Sequence, residues 1–320
     1  MWALVFGLLA GNAVMCFVSY LVHPYRPHLS SDLGKAEELF GFGKWVLGSS
    51  ILVFLITQGD DILVGKLLGA TALGFYQIAY RMGNMPSSEF TGMIGKVAFP
   101  AYSKLQTTPQ QLREAYLRII TFSTFFSIPL TGGIIVLAPK LIQFFLGEKW
   151  LPIVVPLQIL AISGMFRSIA GTGGAMFNAI GKPQLDFKMN VTRLAVIALS
   201  IYPLTMMWKI LGTSFSVLLG IVAACFFWFH ASIRETKITG RDYLSVILPP
   251  VTGAFFMCMV IMSILKTFTF INNQLIVFFI LVMTGTWVYF GIMFLIEKKS
   301  RYNGLHEIKF ILKNLWRGSV

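Results

Sequence analysis

Nine long apolar stretches dominate this 320-residue chain, each bounded by charged or turn-forming residues. They run approximately Trp2–Val22, Phe42–Leu67, Leu73–Tyr102, Tyr116–Leu137, Leu151–Ile180, Asn190–Trp208, Leu211–Ser232, Tyr243–Leu265 and Asn273–Ile296. A bilayer core about 30 Å thick needs about 20 apolar residues per helix, and each stretch is close to or above that length. Only 12% of the residues are charged and 56% are hydrophobic, against about a quarter charged in a soluble domain. The pattern predicts an all-α, polytopic transmembrane helix bundle of about nine spans.

The chain carries 26 Lys and Arg against 13 Asp and Glu, a formal charge of +13. Such an excess fits nucleic-acid binding, an anionic partner or membrane orientation, and the positions of the cations decide among them. With the first connection placed in the cytoplasm, 18 of the 26 fall on that side, Arg193 among them, and five on the other. The charge is therefore a topology signal, and no nucleic-acid partner is expected. Arg81, Lys96 and Arg167 remain, each inside a span.

The connections are too short to hold a soluble domain, which argues against an enzyme whose chemistry sits outside the membrane. The organisation read from the sequence is a first transmembrane helix at 1–22, a cytoplasmic connection at 23–41, six helices at 42–232, two additional helices at 233–296 and a basic tail at 297–320. In the tail Leu305, Ile308, Leu312 and Leu315 recur at helical spacing beside Lys309, Lys313 and Arg317, a pattern suited to an anionic leaflet or to a solvated tail. Cys16, Cys225 and Cys258 lie in apolar spans and read as small hydrophobes. The four histidines lack metal-ligand spacing, and no GxxxxGK[ST] phosphate loop occurs, so neither a metal nor a cofactor is expected.

Ionisable groups in hydrocarbon cost roughly 2.5 to 3.5 kcal/mol each on the insertion scale, so they normally face a bundle interior or a watery cavity. In the third stretch Gln77, Arg81, Asn84, Ser88, Thr91 and Gly95 recur at steps of three and four, which stacks them on one helix face. Ser163, Arg167, Gly171, Gly174 and Asn178 form a second stripe. Such residues also cement helix packing, but an arginine in the middle of a span requires a partner. Asp60 and Asp61 are adjacent carboxylates in the second stretch. With the following turn placed near Ala70, Asp61 and Arg81 lie about 13 and 16 Å deep and could pair, either as a structural ion pair or as a switchable one.

The segment GKWVLGSSILVFLITQGDDILVGKLLGATALGFYQIAYRMGNMPSSEFTGMIGKVAFPAYSKL, from Gly43 to Leu105, resembles bacterial oligosaccharide-unit flippases of the multidrug/oligosaccharidyl-lipid/polysaccharide exporter superfamily. So do HPYRPHL at His23–Leu29, GEKWLPIVVPLQILAISGMFRS at Gly147–Ser168 and NAIGKP at Asn178–Pro183. The resemblance covers most of the chain up to about Asn190. It implies a fold of fourteen spans in two six-helix lobes plus two extra helices. Nine spans ending inside correspond to spans six to fourteen, so an amino-terminal truncation is expected.

The resemblance further implies transport of a polyprenyl-pyrophosphate-linked oligosaccharide across the bacterial inner membrane by alternating access, in contact with membrane lipids. A polysaccharide polymerase complex is a further implied partner. A cavity arginine can grip pyrophosphate oxygens bidentately, which makes Arg81 and Arg167 the candidate anion ligands. Gln77, Asn84, Ser88 and Asn178 would meet the sugar, and Asp60 or Asp61 would couple transport to protonation or ion binding. A drug/cation antiporter and a non-transporting truncated remnant are the competing readings. Two interior arginines favour an anionic cargo over a cation.

Overall fold

The computed structural model describes residues 2–22, 33–85, 98–106, 108–267 and 274–299, and every regular element among them is helical. The chain divides into two units, Met1–Gly41 and Phe42–Val320. The first unit contains α1 (Trp2–Val22), 21 residues without a single charge.

The second unit is built on α2 (Leu33–Leu68) from Phe42 onward, α3 (Ala70–Gly83), α4 (98–105), α5 (Pro109–Phe145), α6 (Val154–Ala179), α7 (Pro183–Trp208), α8 (Ile210–Thr236), α9 (Gly240–Thr267) and α10 (Gln274–Lys299). Among the described residues, seven helices are long and apolar enough to cross a membrane: α1 and α5 through α10, with the 3-10 turn Glu148–Ile153 leading into α6. The two predicted spans outside that set are those of α2 and α3, the polar ones. Ser88, Thr91, Gly95, Lys96 and the basic tail from residue 300 onward lie outside the described residues.

Proline and glycine set the boundaries. Pro109 opens α5 and Pro183 opens α7, where a missing N–H costs nothing because the first helical donors are unpaired anyway. Gly69 adopts φ 86° between α2 and α3, a left-handed conformation that a side chain would strain. This one-residue joint folds α3 back along α2 as a tight hairpin.

Packing is densest where backbones approach. A Cβ on Gly164 would come within 2.5 Å of the Gly83 carbonyl oxygen, and one on Gly83 within 2.8 Å of the Leu160 Cβ. Thus α3 ends in backbone contact with α6, as small residues permit in membrane bundles. One core joins α2, α3, α5 and α6 through Val64, Tyr76, Ile142, Leu157 and Leu160. A second gathers Tyr102, Tyr116, Trp228 and Tyr243 from α4, α5, α8 and α9. There the Trp228 Nε1–H donates to the Tyr116 hydroxyl at 2.9 Å, and the Tyr243 hydroxyl donates to Ser232 Oγ at 2.7 Å. The third joins α5, α9 and α10 around Phe125, Ile261, Leu281 and Tyr289.

Candidate functional site

The hairpin register decides which polar residues meet. Gly65 faces Leu73, Asp61 faces Gln77, and Thr57 and Arg81 border one pocket. The Gln77 Nε2–H donates to Asp61 Oδ2 at 2.9 Å. Asp61 and Arg81, matched in depth by the sequence, make no ion pair among the described residues. The turn falls at Gly69 rather than Ala70, and the register puts Gln77, one helical turn nearer the joint, opposite the carboxylate.

Asp60 points the other way. It is 2% exposed, and its Oδ2 accepts the Tyr76 hydroxyl proton at 2.7 Å while its Oδ1 accepts the Asp61 backbone N–H at 2.9 Å. The charge of Arg167 in α6 acts weakly on Asp60, behind the Tyr76 hydrogen bond and the like charge of Asp61. The adjacent carboxylates therefore serve different surroundings, one an interior and one an open pocket.

That pocket has a volume of about 430 Å³ and is lined by Thr57, Gln58, Asp61, Gln77, Ile78, Tyr80 and Arg81. Arg81 and Gln77 are exposed. Asn84, on the same predicted stripe, is instead buried, and neither its Oδ1 nor its Nδ2 has a hydrogen-bond partner among the described residues. Its Cα lies 3.4 Å from the Cβ position of Gly164, so the α3–α6 contact has drawn it inside.

Arg167, one turn beyond Gly164, donates from Nη1 to the Tyr80 hydroxyl at 3.0 Å, and its guanidinium lies 5.5 Å from the Tyr80 ring centroid. The required partner is thus an aromatic ring with a hydroxyl, a geometry that favours a cation on the ring face. Asn178 sits eleven residues further along α6, about 16 Å at 1.5 Å per residue, and its Oδ1 is buried without a partner among the described residues. The structure brings Asp61, Gln77 and Arg81 together, sets Asp60 and Arg167 behind them, and leaves Asn178 apart.

Sequence reasoning passed over Arg193. It was assigned to the cytoplasmic side, but α7 begins at Pro183, which puts Arg193 ten residues into the helix, about 15 Å. It is 6% exposed, with Nε and Nη2 unpartnered among the described residues. Its charge acts on Arg167, Tyr80 and Asp60. Pro183, a favoured first helical residue, was the available signal. Tyr76 and Tyr80, which hold Asp60 and Arg167, carried none beyond their helical spacing.

A separate cavity of about 310 Å³ lies among α5, α9 and α10, lined by Phe125, Leu137, Met257, Ile261, Phe278, Tyr289 and other apolar residues.

Fold and site together define a multi-pass α-helical membrane protein with arginines and a carboxylate in its interior. Residues 1–155 match the family described as "Polysaccharide biosynthesis protein". The chain is 29% identical over 189 residues to the lipopolysaccharide biosynthesis protein WzxC of Escherichia coli, covering 58% of this chain and 38% of that protein. It is 28% identical over 245 residues to the teichuronic acid biosynthesis protein TuaB of Bacillus subtilis, covering 76% of this chain and 47% of that protein. Its fold matches that of the lipid II flippase MurJ in an inward closed conformation, with TM-score 0.70 and 17% identity over 92% of this chain and 61% of the other. By these matches the chain is similar to polysaccharide biosynthesis proteins and shares the fold of a lipid flippase. It spans less than half the length of the two curated relatives above.

Proposed function

We propose that this chain supplies one lobe and two additional helices of a flippase that moves polyprenyl-pyrophosphate-linked oligosaccharide units across the bacterial inner membrane. The observation that carries the reading is the excess of cationic groups in the interior of a membrane bundle whose relatives are named for polysaccharide biosynthesis. The obstacle to transport is the polar, anionic head group, because the polyprenyl tail can stay in lipid. Arg81, exposed in the pocket beside Gln77, meets the pyrophosphate first, and Arg167 holds it deeper. Asn84, Ser88 and Asn178 meet the sugar as the lobes alternate. A cavity for a cationic drug would be dominated by carboxylates instead.

In this reading the lobe is 42–232, the additional helices are 233–296, and the carboxy terminus is cytoplasmic, consistent with the cation count. Protonation or ion binding at Asp60 or Asp61 couples the cycle, since Asp60 acts on Arg167 and Asp61 holds Gln77.

Deletion of the gene in its host is expected to accumulate lipid-linked repeat units on the cytoplasmic leaflet. Arg81→Ala and Arg167→Ala in the protein as expressed there should lower glycan export at unchanged membrane levels. Absence of accumulation would remove the transport reading. Normal export by both variants would remove the anion-site assignment, and unaltered export by the joint Asp60→Asn, Asp61→Asn variant would remove the coupling.

A further inference from the structure

One side chain touches both the open pocket and an arginine behind it. Tyr80 lines the pocket, accepts a hydrogen bond from Arg167 and lies beneath its guanidinium. Behind it, the unpartnered nitrogens of Arg167 and Arg193 are the same two on each residue, Nε and Nη2. Those two N–H groups lie on one edge of the planar guanidinium and point in parallel, the edge that chelates a carboxylate or phosphoryl group bidentately. Arg193 is more than nine-tenths buried, so its edge is aimed into protein rather than water.

The charge count points the same way. Within this interior Asp60 is the carboxylate that acts on both arginines, and its oxygens already accept from Tyr76 and from the Asp61 backbone. Two guanidinium groups against one carboxylate leave a formal positive charge uncompensated among the described residues. Buried donors without acceptors cost about 1–3 kcal/mol each, more when charged. A structural role alone would not select two such edges within reach of each other's charge.

We propose that Arg167 and Arg193 form an occluded oxyanion site behind Tyr80, which acts as its movable cover and admits the ligand from the pocket when it swings away. The inference deepens the head-group reading above and rests on it for the origin of the anion, a phosphoryl group of the carrier or a carboxylate of an acidic sugar. It adds Arg193 and Tyr80 to the transport path and makes the pocket beside Arg81 an antechamber.

Cys225 provides a native reporter, because it lies in the electrostatic field of Arg193 and is half-buried. With Cys16→Ser and Cys258→Ser removing the other thiols, labelling of Cys225 can be timed with an anionic sulfonatoethyl and a cationic trimethylammonioethyl methanethiosulfonate. Tyr80→Ala is expected to speed the anionic reagent about tenfold over the cationic one, and Arg193→Gln added to it to abolish that preference. Tyr80→Phe, which keeps the ring and loses the acceptor, should give a smaller gain of about threefold and serves if the alanine variant does not fold.

Inorganic pyrophosphate and glucuronate are then added as competitors. Protection by pyrophosphate assigns the site to a phosphoryl group, and protection by glucuronate alone to a carboxylate. Protection by neither overturns the proposal, as does labelling that Tyr80 variants leave unchanged or that rises equally for both reagents. The assay needs no glycan. Anion protection without accumulated lipid-linked units on gene deletion would keep the site and discard the cargo.

Discussion

Two cavities of similar size sit in this helix bundle on opposite principles. The one among α5, α9 and α10 is walled by Phe, Leu, Ile and Met, and its one tyrosine hydroxyl is satisfied: Tyr289 donates to the Phe125 carbonyl oxygen at 2.7 Å. The one between α2 and α3 is backed by arginines, a carboxylate and an asparagine, several of whose donors and acceptors have no partner among the described residues. An apolar wall costs the fold nothing in lipid. Unpaired charged edges do cost it, and a protein holds them where a ligand completes them. The comparison separates a region shaped by packing from one shaped by what it must bind, and five substitutions test it.

The largest effect is expected where the polar region is forced together. Gly164→Leu puts a side chain into the Gly83 carbonyl, where a Cβ alone would stand 2.5 Å away and backbone cannot yield. A loss of roughly 3 kcal/mol is expected, in the upper range for overpacking, read as a fall in the detergent-solubilised melting temperature. An unchanged melting temperature would show that α3 does not depend on α6 for its position, and with it the placement of Asn84 and Tyr80 would fall.

Arg193→Met should act in the opposite direction on stability. Removing a buried guanidinium with two unpartnered nitrogens and filling its volume with an apolar chain should stabilise the protein by about 1–3 kcal/mol, while export falls. This combination of a higher melting temperature and weaker transport is expected of a group kept for function. If Arg193→Met is instead less stable, the arginine is structural and the two cavities differ less than proposed.

What the sequence disclosed follows from this contrast. Span length and bounding charges locate helices because lipid thickness constrains them directly, so α1 and α5 through α10 were legible. The interior polar residues were legible as anomalies, since Asp60, Arg81 and Arg167 are expensive in apolar segments. Their partners were not. Asp61 lies eight residues before Gly69 and Arg81 twelve after it, about 12 and 18 Å along the two helices, so the residue at matched depth is Gln77, eight after the joint. Arg193 was hidden by a boundary set seven residues too late, at Asn190 instead of Pro183, which placed a deep residue near the surface. The stripe Gln77, Arg81, Asn84 was correct as helical spacing but did not share one environment, because Gly83 and Gly164 bring α6 against the end of α3 and bury Asn84 alone.

On the apolar side, Tyr289→Phe removes one buried hydroxyl together with its bond to the Phe125 carbonyl, leaving ring packing intact. The expected loss is about 1 kcal/mol, with export unchanged. A drop in export without a stability change would mean that this cavity also takes part in binding, and the contrast between the two regions would blur.

The smallest effect is expected where the start of α5 meets the start of α9. Arg113 Nη2 lies 2.7 Å from Asp242 Oδ2, joining α5 to the start of α9. The same oxygen accepts the Thr239 backbone N–H at 2.8 Å, and the Asp242 N–H donates back to Thr239 Oγ1 at 3.4 Å, the reciprocal arrangement of a capping box. The two side chains are 39% and 28% exposed, so water screens the ion pair. Arg113→Ala should therefore cost no more than about 1 kcal/mol, and less as salt is raised, because the cap on α9 survives without it. Asp242→Ala removes both and should cost about 1 kcal/mol more than Arg113→Ala, the usual worth of a cap. Equal losses in the two variants would mean that the cap contributes nothing and that the ion pair is the whole of what Asp242 adds.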